Sequence, residues 1–181
     1  MELKDQDMLA LINGSAKGEA TSCKKLYELL VNKVYIYVRY RTSTNEQAID
    51  LTQDVFIDFF SALSDFTYLS RSQLYAYVFV ITRRKLARHY ADSNLTSGTM
   101  EFDEASMSQL FDQSQLVKPE IDLDIKQALS TLDNQTSEII VLHHWSRYTF
   151  GEIALLLDLT ETAVRVRHHR ALKTLANTLE K

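Results

Sequence analysis

Three groups of residues in this chain have types and spacings that suit chemistry or recognition. The first is an acidic ladder, Glu46, Asp50, Asp54 and Asp58, each four residues from the last. On a helix that spacing stacks the carboxylates on one line, at a cost of about 0.2 to 0.5 kcal/mol per like-charged pair. Such a line suits a solvated acidic face or a docking surface for a basic partner, with Gln53 beside it. A single line of acids cannot by itself surround a cation, so a metal site is the weakest reading. The second group runs from Tyr68 through Arg71, Tyr75, Tyr77 and Phe79 into Arg83, Arg84, Lys85 and Arg88. Rings stack on unpaired bases for about 1 to 3 kcal/mol each while cations follow the backbone, although for any single one of these rings core packing is the first expectation. The third is the basic run Arg165, Arg167, His168, His169, Arg170 and Lys173. No nucleophile is paired with a base and no metal shell is completed, so the expectation is a protein without catalytic residues, metal or cofactor.

These groups need helices to position them. In "TNEQAIDLTQDVFIDFFSAL", Thr44 and Gln47 read as a capping box, and Ile49, Val55, Phe56, Phe59, Phe60 and Leu63 recur at helical steps as an apolar stripe. In "YTFGEIALLLDLTETAVRVRHHRALKTL", Thr149 and Glu152 open a short helix with Ile153, Ala154 and Leu157 on its apolar side. "DLT" then turns the chain and Thr160 caps a second helix. Two short helices, a tight turn, a small residue at Ala154 and an apolar one at Val164 fit a helix-turn-helix.

A wheel at about 100° per residue divides the second of these helices. Val164, His168, Ala171, Leu172, Leu175 and Leu179 cluster on the side expected to face the core, where His168 is expected to sit neutral and partly buried. Thr162, Val166, His169, Arg170 and Lys173 face outward, with Arg165 and Arg167 at the two edges. Arginine can take guanine bidentately and Val166 can touch a thymine methyl, while flanking cations meet phosphates.

The remainder of the chain bounds the class. Its 181 residues, 45% hydrophobic with four glycines and one proline, predict an all-α fold. Apolar residues recur at helical spacing over residues 9–90 and 121–179 but not over the polar stretch 93–118. A loop that long is improbable inside one compact domain, so the pattern predicts two small helical domains joined by a flexible polar linker. The single cysteine, Cys23, excludes an intramolecular disulfide. No apolar run reaches the length of a membrane span and the N-terminal residues lack a signal-peptide pattern, so a cytoplasmic protein is expected. A net charge of −4 disfavours indiscriminate coating of nucleic acid, while leaving room for one local basic patch.

With these segments in view, the chain resembles the extracytoplasmic-function group of bacterial sigma factors, in the sigma-70 family. "AIDLTQDVFIDFF" is similar to region 2.2, "AYVFVITRRKLARHY" to regions 2.3 and 2.4, and residues 128–175 to region 4. The resemblance implies a region 2-like domain over residues 1–92, a linker over 93–118 and a region 4-like domain over 119–181. It implies a subunit that binds core RNA polymerase through its β and β′ subunits and directs initiation at promoter DNA. Asp50, Gln53, Asp54 and Phe56 would dock on polymerase. Tyr68, Arg71, Tyr75, Tyr77, Arg83 and Arg84 would read or melt the −10 element, with a loop at about residues 66–74 receiving a flipped base. Thr162, Arg165, Val166, Arg167, His169 and Arg170 would read the −35 element. An anti-sigma factor is a common partner in this group. The chain departs from the family at Tyr77, where tryptophan is frequent, at Arg84, Arg88 and Ala91, at His168, where leucine is common, and at Asp158, where the turn often has glycine. The alternative reading is a stand-alone helix-turn-helix regulator that binds duplex DNA without polymerase.

Overall fold

The computed structural model describes residues 4–94 and 123–179, and among them there are eight α-helices, one 3-10 turn and no strand. Most of the stretch predicted as a linker, 93–118, lies outside the described residues. The helices fall into two compact units.

The first unit holds α1 (Asp5–Ala16), α2 (Ala20–Arg39), α3 (Asn45–Ser61), a 3-10 turn (Leu63–Asp65) and α4 (Arg71–Asn94). Between α1 and α2 the chain reverses through Gly18, whose φ of +78° suits a residue without Cβ. Helix α3 begins as its sequence predicts. Thr44 accepts from the Gln47 amide at 3.2 Å, and the Gln47 side chain accepts in return from the Thr44 amide at 3.3 Å. Its buried face differs by part of a turn from the expected stripe. Ala48, Leu51, Thr52, Val55, Phe56 and Phe59 are buried, whereas Ile49 and Phe60 are only half-buried. Two helices cover α3, so its contact surface is wider than one line of large residues, and small Ala48 and Thr52 occupy the close approaches. Thr52 is satisfied there by donating to the Ala48 carbonyl at 2.6 Å. Around Phe56 the core is aromatic: Tyr27 meets it edge-on at 4.8 Å between centroids, and Phe59 at 6.1 Å.

The second unit holds α5 (Leu123–Ser130), α6 (Asn134–His144), α7 (Phe150–Leu157) and α8 (Glu161–Leu179). Asp133 caps α6 by accepting from the Thr136 amide at 2.9 Å. Hydrogen bonding from the Thr136 side chain and amide, with a smaller contribution from Arg167, holds its carboxyl below the usual range. Thr149 and Glu152 form the predicted capping box of α7. Asp158 ends α7 in the left-handed region at φ 54°, and the Leu159 amide returns to the Ala154 carbonyl at 2.9 Å. Thr160 then caps α8 by accepting from the Ala163 amide. Ile153, Ala154, Leu157, Val164 and Ala171 bury the α7–α8 junction.

Candidate polymerase-docking and nucleic-acid surfaces

On α3 the carboxylate side and the apolar side separate as the helical period requires. Asp50, Asp54 and Asp58 are exposed and Gln53 is half-buried between them and the core. Asp58 meets Lys85 of α4 at 3.0 Å, so the C-terminal end of the ladder is partly neutralised. Phe56 does not join this surface. It is 0% exposed, because three and four residues separate it from the buried Phe59 and Thr52 on the core side. The ring instead anchors the helix from within the core.

The aromatic-basic segment divides similarly. Tyr75 is 6% exposed and Phe79 is also buried, so both rings belong to the core, contrary to the expectation that Tyr75 is presented to a base. Lys33 lies 5.0 Å above the Tyr75 ring and Phe79 packs edge-on to Tyr37 at 4.9 Å. Tyr77 is half-buried. Its ring stacks on Phe66 at 4.6 Å, its hydroxyl donates to the Ala62 carbonyl at 3.4 Å, and burial raises its pKa. Residues 66–70 bridge the 3-10 turn and α4 without helical structure. Here Tyr68 donates to Asp5 at 2.7 Å, the Leu69 amide donates to Gln73 at 3.0 Å, and the Gln73 amide donates to Ser70 at 3.2 Å. Arg71 is half-buried at the start of α4. Further along, Arg83 and Arg84 are exposed with Val80, Ala87, Arg88 and Ala91 on one face. Val80 was absent from the candidate set, although its spacing of three and four residues from Arg83 and Arg84 signals that it shares their side.

Helix α8 presents Thr162, Arg165, Val166, His169, Arg170 and Lys173 outward. Arg165 is organised by its own helix. Its Nε donates to Glu161 at 2.9 Å, and its guanidinium lies 4.9 Å over the Phe150 ring of α7. Arg167 departs from the expected set. It is half-buried and donates through a terminal nitrogen to Gln135 of α6. On the wheel Arg167 lies nearer Ala171 than Val166, so it turns toward the packed helices and braces α8. Leu172 departs in the opposite sense: predicted inward, it is 40% exposed.

His168 is half-buried, as expected, but among other histidines. Its ring stacks on His144 at 5.0 Å with their Nε2 atoms 2.8 Å apart, and it meets His143 and Phe150 edge-on at 4.9 and 5.0 Å. Desolvation, together with His143, His144 and His169, brings its pKa down to about 4. That of His144 is lowered by burial, His143 and Arg147. The Nδ1 of His143 is engaged by the Tyr148 carbonyl at 3.0 Å. Among the described residues no group of three or more histidine, cysteine or acidic side chains is arranged to hold a metal ion.

The sign of the pH effect follows from the depressed values. Above the unfolded pKa of about 6.5 these rings are neutral in both states, and the full packing contribution is present. As pH falls from there toward about 4, the unfolded chain protonates first and the fold loses stability. We expect the second unit to lose about 1 kcal/mol over this interval, allowing for solvent screening of partly exposed rings. Thermal melting followed against pH checks this, and His168→Leu should flatten the dependence; an unaltered pH profile in that variant would exclude His168 as its source.

No described helix is long and apolar enough to cross a membrane. The chain matches the family descriptions "Sigma-70 region 2" over residues 26–96 and "Sigma-70, region 4" over residues 122–175. Over 174 residues it is 26% identical to the ECF RNA polymerase sigma factor BldN of Streptomyces coelicolor (strain ATCC BAA-471 / A3(2) / M145), a match covering 95% of this chain and 66% of that protein. This chain therefore spans just under two thirds of that relative's length. Two solved structures share the fold at 23% identity. One is CnrH in complex with the cytosolic domain of CnrY, at a TM-score of 0.67, covering 94% of this chain and 96% of that one. The other is the sigma factor RpoE in complex with the anti-sigma factor NepR from Bartonella quintana, at 0.58, covering 87% and 96%.

Proposed function

The chain belongs to the sigma-70 family, in its extracytoplasmic-function group, and we propose that it is a promoter-specific initiation subunit of core RNA polymerase. One observation carries this reading: regions 2 and 4 occur in order on two separately packed helical units, the first with an exposed acidic helix and the second with an exposed basic one. A local basic surface on an acidic chain suits a protein that obtains most of its DNA affinity through a partner.

In this proposal Asp50, Gln53 and Asp54 meet a basic surface on the β′ subunit, while Phe56 and its neighbours hold the helix that carries them. Val80, Arg83 and Arg84 follow promoter DNA at the −10 element, and residues 66–70 receive an unpaired base. The region 4 unit docks on the β subunit and offers Thr162, Arg165, Val166, His169 and Arg170 to the −35 element, with Arg167 bracing the helix behind them. An anti-sigma factor belongs to the same reading, because the group commonly has one. The subunit performs no catalytic step of its own and acts in the cytoplasm, where the polymerase is.

Transcription from a library of randomised promoters, with purified protein and core polymerase, tests the proposal. The expected result is complex formation and enrichment of one promoter class, with Arg170→Ala relaxing selection at −35 while leaving core binding intact. Mobility shifts with and without core enzyme separate this from the stand-alone regulator. Tight binding to duplex DNA by the protein alone, with no complex formed with core, would favour the regulator.

A further inference from the structure

We propose that Asp5 is a positioning residue: by accepting the Tyr68 phenol it latches the segment 66–70 in the conformation that receives an unpaired promoter base. This rests on the initiation-factor reading above. Asp5 opens α1, and it lies outside both family matches, the first of which begins at residue 26. It reaches a side chain 63 positions away, at 2.7 Å.

The reason for a latch lies in how the segment is otherwise held. Five residues outside any helix, tied by backbone hydrogen bonds at the ends through Phe66 to Leu63 and Leu74 to Ser70, would otherwise leave the backbone between them free to sample many conformations. Three tethers remove that freedom. Phe66 is clamped at one end by stacking on Tyr77, 4.6 Å away. At the other end Gln73 takes the Leu69 amide, and Ser70 caps α4 by taking the Gln73 amide. The middle is held through Tyr68, whose phenol donates to Asp5. With both flanks fixed, Leu69 projects outward, 76% exposed. An exposed leucine beside a half-buried tyrosine is a surface against which a base can pack, and its precision depends on the tether beneath it. The bond joins a phenol to a carboxylate, the charge-assisted kind that is shorter and stronger than a neutral pair. Burial, then the hydrogen bond and charge of Asp5, push the Tyr68 phenol up to about 12, in keeping with a proton held between the two oxygens.

The test uses the full chain bound to core RNA polymerase. The probe is a single-stranded oligonucleotide carrying the non-template −10 sequence enriched from the randomised library, in versions with each base at the discriminated position. Asp5→Ala and Tyr68→Phe should each reduce base discrimination by about three- to tenfold, the range expected for one lost charge-assisted hydrogen bond at a partly exposed site. The double variant should be no worse than either single one. Asp5→Asn should restore most of the discrimination, because its amide oxygen still accepts. Affinity for core should be the same for Asp5→Ala as for wild type. In the free chain, hydrogen exchange at residues 66–70 should quicken in Asp5→Ala and Tyr68→Phe but not in Asp5→Asn.

Discrimination at the wild-type level in folded Asp5→Ala overturns the latch, as does additivity in the double variant, or an Asp5→Asn variant as impaired as Asp5→Ala. Failure of the wild-type chain to bind core or select a promoter overturns the underlying reading instead. The two failures are thus distinguished by the wild-type control.

Discussion

Asp50→Lys combined with Asp54→Lys should abolish capture of core RNA polymerase, weakening it at least about a hundredfold, while both helical units remain folded. The size follows from like-charge juxtaposition: placing cations against a basic partner surface costs several kcal/mol, and about 3 kcal/mol is roughly a hundredfold. Preservation of the fold follows from the ladder itself. Glu46, Asp50, Asp54 and Asp58 repel along α3 in the native chain. The double substitution replaces three repulsive pairs with two attractive ones, Glu46 with the first lysine and the second lysine with Asp58, and one repulsive lysine pair, each worth about 0.2 to 0.5 kcal/mol. Stability and function should therefore move in opposite directions, which a mere folding defect cannot imitate. Circular dichroism on heating and fluorescence anisotropy of labelled protein titrated with core would measure the two quantities. Wild-type affinity in this variant would move the docking surface away from α3.

The second large effect concerns Phe56. Truncation to alanine should destabilise the first unit by about 3 to 5 kcal/mol, the usual range for deleting a fully buried ring. Small domains have only about 5 to 15 kcal/mol in hand, so the loss brings this unit close to unfolding. The ring is 0% exposed between Tyr27 and Phe59, and the surrounding aromatics cannot collapse fully into the gap. Phe56→Leu refills much of that volume and should keep the fold, and with it most of the affinity for core. Urea titration of both variants, read beside core affinity, distinguishes a packing role from direct contact. A stable Phe56→Ala protein that fails to bind core would put the ring at the interface and contradict its burial.

The residues behind these predictions are legible in the sequence to different degrees. Two capping boxes were legible: Thr44 with Gln47, and Thr149 with Glu152, act over three residues, so spacing alone specifies them. The acidic line of α3 was legible for the same reason, since side chains four apart must share a face. The faces of α8 were only partly legible. Its period placed Val164 and Ala171 inside and Val166 and Arg170 outside, but the residues at the edges depended on neighbours. Arg167 turned inward because Gln135 of α6 offered an acceptor, and Leu172 stayed exposed because no described helix covers that side. The aromatics of α4 show the same limit. Tyr75 and Tyr77 look alike in sequence, yet one is a core ring and the other stacks on Phe66.

By itself, then, the sequence determined the helical class, the capped starts of α3, α7 and α8, the turn of the helix-turn-helix and the regions it shares with its family, because all of these rest on periodicities and contacts spanning a few residues. Tertiary structure alone decided which of two equivalent-looking rings is buried, that His168 joins His143 and His144, and that Tyr68 is held by Asp5. Those pairings connect positions 24 to 63 residues apart. Nothing in local spacing encodes such distances, since they arise only when the helices pack and the chain between the partners has been ordered.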